Sequence, residues 1–401
     1  MVDFIEPIEV SLALEGANWV ARVEGVKDLN ATYAFYLLRD GVRVGQRWYE
    51  SNLVAKFSND GVSGHYQARV FVKKNNIADS GQVTARFNSK PVFQNNAPYD
   101  LKRWERFPFF SHEFSSPWAE EKLTDGVYHF TEDGRHVDML LSGMERMEGS
   151  NTVFVCFGGA VTSRTGTSAP FFSGVSIAKT LNAPMISVSD PTLSLSHQLA
   201  LGWYVGHEGF IDLPIYIARL LDSFVERTGA RLIIFGGSGG GFASLLILSL
   251  LQTDNVSAFV WNPQTSIARY SLPSVRRFLE VAFPMNLNSS NIDKDLDESG
   301  VIFDLSSRVS LLSRKKQIVY LQNSSDWHAQ MHAEPFLNKF GAGKKVSEEV
   351  FLFNDYLAYW EGNWGDGHIP PSQEIIISGL ELLLSGKSPL DTALELERSV
   401  R

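Results

Sequence analysis

The fold of this chain is decided by the stretch Arg231-Leu-Ile-Ile-Phe-Gly-Gly-Ser-Gly-Gly-Gly-Phe-Ala-Ser-Leu-Leu246. Residues 232–235 form a short apolar run, which predicts one buried strand. A glycine block at 236–241 follows, and the apolar segment 242–251 has helical character. The pattern therefore predicts a strand that turns sharply into a helix, with Ser238 at the turn.

The centre of the glycine block, Gly236-Gly237-Ser238-Gly239-Gly240, matches the pattern G-x-S-x-G. In that pattern a serine on a strained strand-to-helix turn acts as a nucleophile. Glycines suit such a turn because side chains beside the serine would collide with the neighbouring strand and helix. Glycine-rich turns also bind phosphates in dinucleotide-binding folds, but this block matches neither G-x-G-x-x-G nor G-x-x-x-x-G-K-[ST]. The pattern favours a nucleophilic serine.

Composition and length limit the remaining possibilities. A chain of 401 residues is long enough for two domains. The formal charge of -9, without a Lys/Arg-rich stripe, argues against nucleic-acid binding. Cys156 is the one cysteine, which excludes an internal disulfide and fits a reducing compartment. The N-terminal residues do not resemble a signal peptide, and no apolar run approaches the roughly 18 residues of a membrane span. We therefore expect a cytoplasmic protein.

Residues 1–90 predict a β-sandwich accessory domain of the immunoglobulin-like type. Short runs with strand character recur at regular spacing, at 10–14, 19–23, 33–38, 54–57, 66–72 and 83–87. Turn-forming residues separate some of them, at Asp40-Gly41, Asp60-Gly61 and Asp79-Ser80-Gly81. Because no catalytic constellation lies in this region, we expect it to dock a protein or glycan partner, or to be a passive scaffold.

Residues 91–124 predict an ordered aromatic linker, since Phe, Trp and Pro accumulate there. From residue 125 onward strands alternate with helices, which predicts a doubly wound, mostly parallel sheet in an α/β domain spanning 125–401. The predicted strands form a hairpin at 127–141 and then lie at 152–157, 184–188, 232–235, 258–261, 317–322 and 350–353. The long stretch 264–312 predicts a lid-like insertion, with a surface excursion without function as the alternative.

A serine hydroxyl needs a base to take its proton, and that base needs a third group to orient it. Downstream of Ser238, Asp326 follows a predicted strand, and His368 lies in a Gly- and Pro-rich loop after the next one. This chain order of Ser, then Asp, then His predicts Ser238 as the nucleophile, His368 as the general acid and base, and Asp326 as the orienting carboxylate.

An oxyanion hole needs two N–H donors aimed at the developing negative charge. One is predicted to be the backbone N–H of Gly239, directly after the nucleophile. The other is predicted to be that of Gly159 or Ala160, in the loop after the strand at 152–157. Phe157 stands where many esterases have a histidine, which leaves the choice between these two donors open.

Other polar residues near these motifs allow more than one interpretation. Asp366 and Asp355 are alternatives for the orienting carboxylate. His328 and His332 form an H-x-x-x-H pair, a spacing that can hold a metal. Without an accompanying H-E-x-x-H pattern we expect no metal and no cofactor, and we interpret the pair as substrate-contacting or structural. His207 either borders the pocket as a substrate contact or packs.

Taken together, these motifs resemble the α/β-hydrolase superfamily over about residues 125–385. The residues that carry the resemblance are Gly236-Gly-Ser238-Gly-Gly, Phe157-Gly-Gly-Ala, Asp326 and Gly367-His368-Ile-Pro-Pro. The layout with a β-rich front module is also similar to the bacterial branch that contains accessory-Sec glycan O-acetyltransferases and capsule-modifying acyltransferases. This resemblance implies esterase or O-acetyltransferase chemistry on a carbohydrate or other small-molecule ester.

Two alternatives to an acyl-enzyme on Ser238 stay open at this point. One is a catalytically inactive hydrolase fold that binds a glycan or a protein within an assembly. The other is a serine peptidase, since the sequence offers no pocket signature that excludes it. A protein partner would be bound through the N-terminal β-domain.

Overall fold

The structure is a computed structural model, and the chain divides into two compact units, Met1–Asn95 and Asn96–Arg401. The structure describes residues 9–15, 18–24, 31–39, 42–59, 66–74, 77–86, 98–149, 151–161, 164, 167–284, 291–312 and 316–400. Three predicted features lie outside these residues, namely the turns at Asp40-Gly41 and Asp60-Gly61 and the first part of the linker at 91–97. Each helix in the described ranges is too short or too polar to span a bilayer.

The first unit contains two antiparallel sheets. Its strands are β1 (Glu9–Glu15), β2 (Asn18–Glu24), β3 (Ala31–Arg39), β4 (Val42–Glu50), β5 (Val54–Ser58), β6 (Tyr66–Lys74) and β7 (Ile77–Arg86). The strand order is β1-β2-β5 in one sheet and β4-β3-β6-β7 in the other. One cluster of buried side chains draws on both sheets, with Trp19 from the first and Tyr33 from the second. The immunoglobulin-like type and the accessory role of this unit stay predictions.

One predicted turn of the first unit is wrong. Strand β7 runs through Asp79-Ser80-Gly81 while it stays paired with β6. The pairing moves from Val72 opposite Asp79 to Val70 opposite Val83, so the register shifts at this point. The turn-forming residues are therefore accommodated in a bulge of a continuous strand.

The second unit is built on an eleven-stranded sheet. Its strands are β8 (Phe109–Glu113), β9 (Gly126–Glu132), β10 (Arg135–Ser142), β11 (Thr152–Phe157), β12 (Met185–Val188), β13 (Arg231–Gly237), β14 (Val256–Trp261), β15 (Gln317–Asn323), β16 (Lys344–Lys345), β17 (Val350–Phe353) and β18 (Leu357–Gly362). Their spatial order is β16-β17-β18-β15-β14-β13-β11-β12-β10-β9-β8. Six neighbouring strands of this sheet are parallel to one another, in the order β18-β15-β14-β13-β11-β12. This confirms the predicted mostly parallel sheet.

Helices cover both faces of this sheet. They are α1 (Val175–Thr180), α2 (Leu213–Thr228), α3 (Gly239–Leu250), α4 (Leu272–Ala282), α5 (Ile292–Ser299), α6 (Glu334–Leu337), α7 (Gln373–Leu384) and α8 (Pro389–Val400). Successive residues of β13 enter two different cores, with Leu232 and Ile234 in one and Ile233 and Phe235 in the other. The continuous apolar run of β13 is therefore explained by burial on both faces.

Residues 98–124, interpreted above as part of a linker, belong to the second unit. Strand β8 in this segment pairs in parallel with β9 and forms one edge of the large sheet. The Trp118 side chain is almost completely buried, and its indole N–H donates to the Leu220 carbonyl at 2.9 Å. The Trp104 indole N–H donates to the Pro170 carbonyl at the same distance of 2.9 Å. The two tryptophans of this segment therefore pack within the α/β unit.

The strand that leads into the loop with His368 is β18, and not the predicted last strand at 350–353. That predicted strand is β17, which is antiparallel to β18. Strand β18 is parallel to β15, so it ends at the same edge of the sheet as β13 and β15. The three predicted site residues therefore emerge at one edge, where parallel α/β sheets bind their ligands.

The predicted insertion at 264–312 contains α4 and α5, and its residues 285–290 lie outside the described part. Helix α4 packs into the main core, where Phe278 is completely buried and lies against Trp203 with ring centroids 5.4 Å apart. The described residues of this insertion do not line the cavity beside Ser238. The role of a lid stays a prediction.

Candidate active site

The turn between β13 and α3 holds Ser238 in an unusual backbone conformation, with φ 53° and ψ -121°. Residues other than glycine rarely adopt such a conformation, and it persists only where the surrounding structure imposes it. A Cβ added to Gly240 would lie 2.2 Å from the carbonyl oxygen of Phe157. One added to Gly236 would lie 2.6 Å from the carbonyl oxygen of Gly240. The glycine block is therefore a steric requirement of the turn.

Three residues that are distant in the sequence meet at this turn. The Nε2 atom of His368 lies 3.0 Å from Ser238 Oγ, and the Nδ1 atom lies 2.6 Å from Asp326 Oδ2. With Nδ1–H donated to the carboxylate, Nε2 is free to accept from the hydroxyl. The alternative carboxylates, Asp366 and Asp355, are both exposed. In the described part of the chain it is Asp326 that contacts the imidazole.

Asp326 is buried in the turn after β15. Its Oδ1 accepts a hydrogen bond from the backbone N–H of His328 at 3.0 Å, while its Oδ2 faces His368. Burial by itself raises the pKa of this carboxyl, but the hydrogen bonds from His368 and from the His328 N–H outweigh burial and leave the pKa below its ordinary value. Asp326 is therefore ionised at neutral pH and can hold the imidazole in one orientation.

The loop after β18, which carries the histidine, is fixed by buried amide side chains. Asn323 Nδ2 donates to the carbonyl oxygens of Gly365 at 2.7 Å and Gly367 at 2.8 Å. Asn262 Nδ2 donates to the Ile369 carbonyl at 2.8 Å, and Asn262 Oδ1 accepts from the Asn323 N–H at 2.7 Å. Both asparagines are almost completely buried. Because hydrogen bonds are electrostatically stronger in such surroundings, the loop has one well-defined position.

The predicted oxyanion-hole donors differ in their surroundings. Gly239 is the first residue of α3, so its N–H has no partner within the helix. Gly159 lies close to the turn, since a Cβ there would be 3.2 Å from the Gly237 carbonyl oxygen, and it lines the same cavity as Ser238. Ala160 is exposed and does not line that cavity. Gly159 is therefore better placed than Ala160.

The loop that contains Gly158 and Gly159 is anchored by Tyr204. The Gly158 N–H donates to the Tyr204 hydroxyl at 2.9 Å, and this hydroxyl donates to the Val188 carbonyl at 3.1 Å. Tyr204 itself has a positive φ of 58°, and its N–H donates to the buried carboxylate of Asp190 at 2.9 Å. These contacts fix the loop beside the Ser238 turn.

A cavity of about 370 Å³ opens beside Ser238. Its wall is largely apolar, and the residues that line it include Cys156, Phe157, Ile177, Phe235, Trp261 and Pro370. The volume lies in the range of small-molecule sites. Because Ser238 and His368 also line this cavity, a group bound in it would contact both residues.

The histidines predicted as substrate contacts do not line this cavity. His328 and His332 are completely buried, so they offer no surface to a substrate, and the structural interpretation replaces the substrate-contacting one. The His328 ring packs against the ring of His368, with centroids 4.1 Å apart. His207 is partly buried and packs against Phe210, with ring centroids 6.3 Å apart.

Both buried histidines are neutral at physiological pH. Burial lowers the pKa of His328 to about 4 and the pKa of His332 to about 3. His328 Nδ1 donates to the Asn262 carbonyl at 3.0 Å. His332 Nδ1 accepts from the Thr265 N–H at 3.2 Å. The pair therefore packs beneath the site without adding charge to it.

Within the described residues, one group has a spacing compatible with a metal ion. Asp326, His328 and His368 offer oxygen and nitrogen atoms that lie within 4.8 Å of one another. An ion at this position would require His368 Nδ1 to lose its proton and its hydrogen bond to Asp326. The hydrogen-bonded arrangement therefore describes an acid–base pair rather than a set of metal ligands.

Several residues that build the site were missed by sequence reasoning. Asn262, Asn323 and Tyr204 fix the two loops, and Gln264 Nε2 donates to Ser238 Oγ at 3.1 Å. Asn262 directly follows β14, and Gln264 lies two residues further along the chain. Asn323 is the last residue of β15. Their signal is the position of polar side chains at the carboxyl ends of parallel strands, since those ends meet at one edge of the sheet.

The topology of the second unit defines the class of the fold. The turn with the serine follows β13, the buried carboxylate follows β15, and the histidine loop follows β18, all at one edge of a mostly parallel sheet. A Gly-Gly loop follows β11 on the same edge. This is the arrangement of the α/β-hydrolase fold, which confirms the fold that the sequence resemblance implies.

No family model and no curated protein matches the sequence. Solved structures that match include the Glycosylation Associate Protein (Gap123) complex from Streptococcus agalactiae, with 15% identity and a TM-score of 0.47, covering 96% of this chain and 71% of that chain. The capsule O-acetyltransferase of Neisseria meningitidis serogroup A has 16% identity and a TM-score of 0.42, covering 67% of this chain and 98% of that chain. An S-formylglutathione hydrolase from Agrobacterium tumefaciens has 12% identity and a TM-score of 0.42, covering 68% of this chain and 98% of that chain. Similarities at this level carry no argument about activity or substrate.

Proposed function

We propose that this chain is a serine-dependent acyl-transfer enzyme, either an esterase or an O-acetyltransferase. Ser238 is the nucleophile, His368 is the general acid and base, and Asp326 orients the imidazole. The observation that carries the proposal is the hydrogen-bonded series from Ser238 Oγ through His368 to Asp326, with distances of 3.0 and 2.6 Å. Proton transfer between a hydroxyl and an imidazole requires this geometry.

The reaction proceeds through an acyl-enzyme. His368 Nε2 takes the hydroxyl proton while Ser238 Oγ bonds to the carbonyl carbon of the ester, whose π electrons move to the carbonyl oxygen. The tetrahedral intermediate then collapses, and the departing alcohol takes the proton from His368. Asp326 stays ionised and stabilises the imidazolium, in line with the lowered pKa of its carboxyl. Water or a sugar hydroxyl accepts the acyl group in the second half-reaction.

The backbone N–H groups of Gly239 and Gly159 stabilise the negative charge on the tetrahedral oxygen. Gly239 begins α3, and the N-terminal end of a helix favours negative charge. Gly159 lines the cavity together with Ser238, and its loop is anchored through Tyr204. A donor of this kind contributes about 10²- to 10³-fold to the rate.

The proposed substrate is a carbohydrate ester or another small-molecule ester. The cavity of about 370 Å³ beside Ser238 has the size of a small-molecule site, and its apolar wall suits an acyl group. The side chain of His368 is 35% exposed. The polar alcohol part of a substrate can therefore approach the reacting atoms from the solvent side while the acyl group occupies the cavity.

Turnover of p-nitrophenyl acetate by the wild type and by Ser238→Ala tests the proposal. We expect Ser238→Ala to lose at least about 10³-fold in kcat/KM, because the acyl-enzyme cannot form without the hydroxyl. Ser249→Ala is the matched control, since this buried hydroxyl of α3 donates to the Leu246 carbonyl at 2.7 Å. Unchanged turnover in Ser238→Ala would remove this serine from the mechanism and favour a catalytically inactive binding component.

A further inference from the structure

Ser238 has a further partner besides His368. The side-chain amide of Gln264 donates from Nε2 to Ser238 Oγ at 3.1 Å, and the Gln264 backbone N–H donates to the Ser238 carbonyl at 3.2 Å. Gln264 is completely buried, in the segment that follows β14. The Oγ atom therefore lies between an acceptor, His368 Nε2, and a donor, Gln264 Nε2.

The orientation of the Gln264 amide follows from its contact with Trp203. The indole N–H of Trp203 donates to Gln264 Oε1, and an indole nitrogen can only donate. The amide atom that faces Trp203 must therefore be the oxygen, which leaves the amino group facing Ser238. The donor role of Gln264 toward Oγ is fixed by this chemistry.

Trp203 is held in a defined position. It is completely buried, and both Trp203 and Tyr204 have positive φ values, of 55° and 58°. The buried carboxylate of Asp190 accepts the Tyr204 N–H at 2.9 Å, and Phe278 of α4 packs edge-on against the indole. A strained segment of this kind persists only where surrounding contacts impose it, so the Trp203 N–H, and the amide it orients, have little freedom.

We propose that Gln264 is a further catalytic residue, whose amide N–H stabilises Ser238 Oγ as a leaving group when the acyl group is passed on. The inference rests on the proposed function. In that step His368 takes the proton of the acceptor hydroxyl, and the acceptor oxygen bonds to the acyl carbon. The C–Oγ bond then breaks, its electron pair moves to Oγ, and His368 returns the proton to Oγ. Gln264 stays bonded to Oγ while this negative charge develops.

Gln264 contributes more to the second half-reaction than to the first. Before acylation Oγ is a hydroxyl oxygen, which already accepts the amide N–H well, so much of this hydrogen bond exists in the ground state. In the acyl-enzyme Oγ is an ester oxygen, which is a poor acceptor, and the bond strengthens mainly as C–Oγ breaks. Only an interaction that is stronger in the transition state than in the ground state accelerates a step.

The variants Gln264→Met and Gln264→Glu test this role. Methionine keeps the volume but removes both the donor to Oγ and the oxygen that accepts the Trp203 N–H. Glutamate keeps the shape and the bond to Trp203 but places an acceptor opposite Oγ. The acylation rate is measured from the initial burst of p-nitrophenol that p-nitrophenyl acetate releases. The deacylation rate is read from the loss of acetyl-enzyme by intact-mass spectrometry. We expect deacylation to slow about 10- to 100-fold and acylation to slow by a smaller factor.

Gln322→Met is the matched control. Gln322 is as completely buried as Gln264, but its amide donates to the Asn323 carbonyl. The acetyl-enzyme of the Gln322→Met variant should therefore decay at the wild-type rate. Wild-type deacylation in Gln264→Met, or equal losses in both half-reactions, would overturn the role of Gln264. If the wild type forms no acetyl-enzyme and Ser238→Ala keeps its turnover, the proposed function itself fails.

Discussion

The two sides of the site are positioned by different physical means. The turn at Ser238 is fixed by sterics, since a Cβ on Gly240 would lie 2.2 Å from a backbone carbonyl oxygen. The loop at His368 is fixed by hydrogen bonds from Asn262 and Asn323, residues that lie 107 and 42 to 44 positions from the carbonyls they bind. The first arrangement depends on the absence of side chains within one short block, whereas the second depends on two amide side chains that lie far from the loop in the sequence. Substitutions of the glycines on the serine side should therefore mainly damage folding, and those of Asp326 and Asn323 on the histidine side should mainly damage activity.

The largest expected effect is that of Asp326→Asn on the histidine side. The His328 N–H must keep the amide oxygen as its acceptor, so the amino group faces His368 Nδ1 and holds the imidazole in the wrong tautomer. We expect kcat for p-nitrophenyl acetate to fall about 10³- to 10⁴-fold, with a much smaller change in the free energy of unfolding. Asp366→Asn is the control, since this exposed carboxylate should leave turnover unchanged. A greater loss in Asp366→Asn would reassign the orienting role.

On the serine side, Gly240→Ala should mainly reduce stability. The added Cβ meets the Phe157 carbonyl oxygen at 2.2 Å, and backbone must move to relieve the contact. We expect the free energy of unfolding to fall by about 3 kcal/mol, measured by urea unfolding. Gly149→Ala is the control, because its Cβ would meet nothing closer than the Arg146 carbonyl oxygen at 3.9 Å. Equal stability of the two variants would contradict steric control of the turn.

A smaller loss is expected for Asn323→Asp, which has the size of asparagine but no amide donors. The carboxylate would face the carbonyl oxygens of Gly365 and Gly367 that Asn323 Nδ2 now binds, and the loop should shift. We expect kcat to fall about 10- to 100-fold, the equivalent of one or two such hydrogen bonds. Asn151→Asp serves for comparison, because its amide also donates to a carbonyl, that of Gly229 at 2.7 Å, but at an exposed position. Similar kcat values for both variants would contradict hydrogen-bond control of the loop.

The last prediction concerns the pH dependence of stability beneath the loop. The pKa values of His328 and His332 fall to about 4 and about 3 in the folded chain, against about 6.5 in the unfolded chain. Between pH 6.5 and 4 the unfolded state binds protons that the native state excludes, so stability is full above this window and is lost as the pH falls through it. The slope is about 1.4 kcal/mol per pH unit for each histidine. His332→Gln should reduce the slope of unfolding free energy against pH by the contribution of one histidine. Urea unfolding at several pH values measures this slope. An unchanged slope in the variant would contradict the assignment of His332.

The difference between the two sides also explains what could be predicted from the sequence. The Ser238 turn was predictable because strand, glycine block and helix follow one another directly. Asp326 and His368 were predictable as residue types after strands in a known chain order. Their supports, Asn262 and Asn323, were not predictable, because their role depends on which strand ends become neighbours in space.

The elements that were missed show the same limit. Strand β18 follows β17 after a short turn in which Asn354 has a positive φ of 54°, and the sequence alone merged it with the loop that follows. Strand β8 lies at the edge of the sheet and, among the strands that the structure describes, pairs with β9 alone, so its aromatic residues resembled a packed linker. The spacing of His328 and His332 indicated a shared helical face but carried no information on burial.

The central claim is that Ser238 Oγ is a nucleophile activated by His368. Intact-mass spectrometry of the wild type, Ser238→Ala and His368→Ala after treatment with a fluorophosphonate probe tests this claim most directly. We predict one adduct on the wild type, none on Ser238→Ala, and labelling of His368→Ala that is at least about 10²-fold slower. A wild-type chain that stays unlabelled, or a Ser238→Ala chain that is labelled at the same rate, would contradict the account.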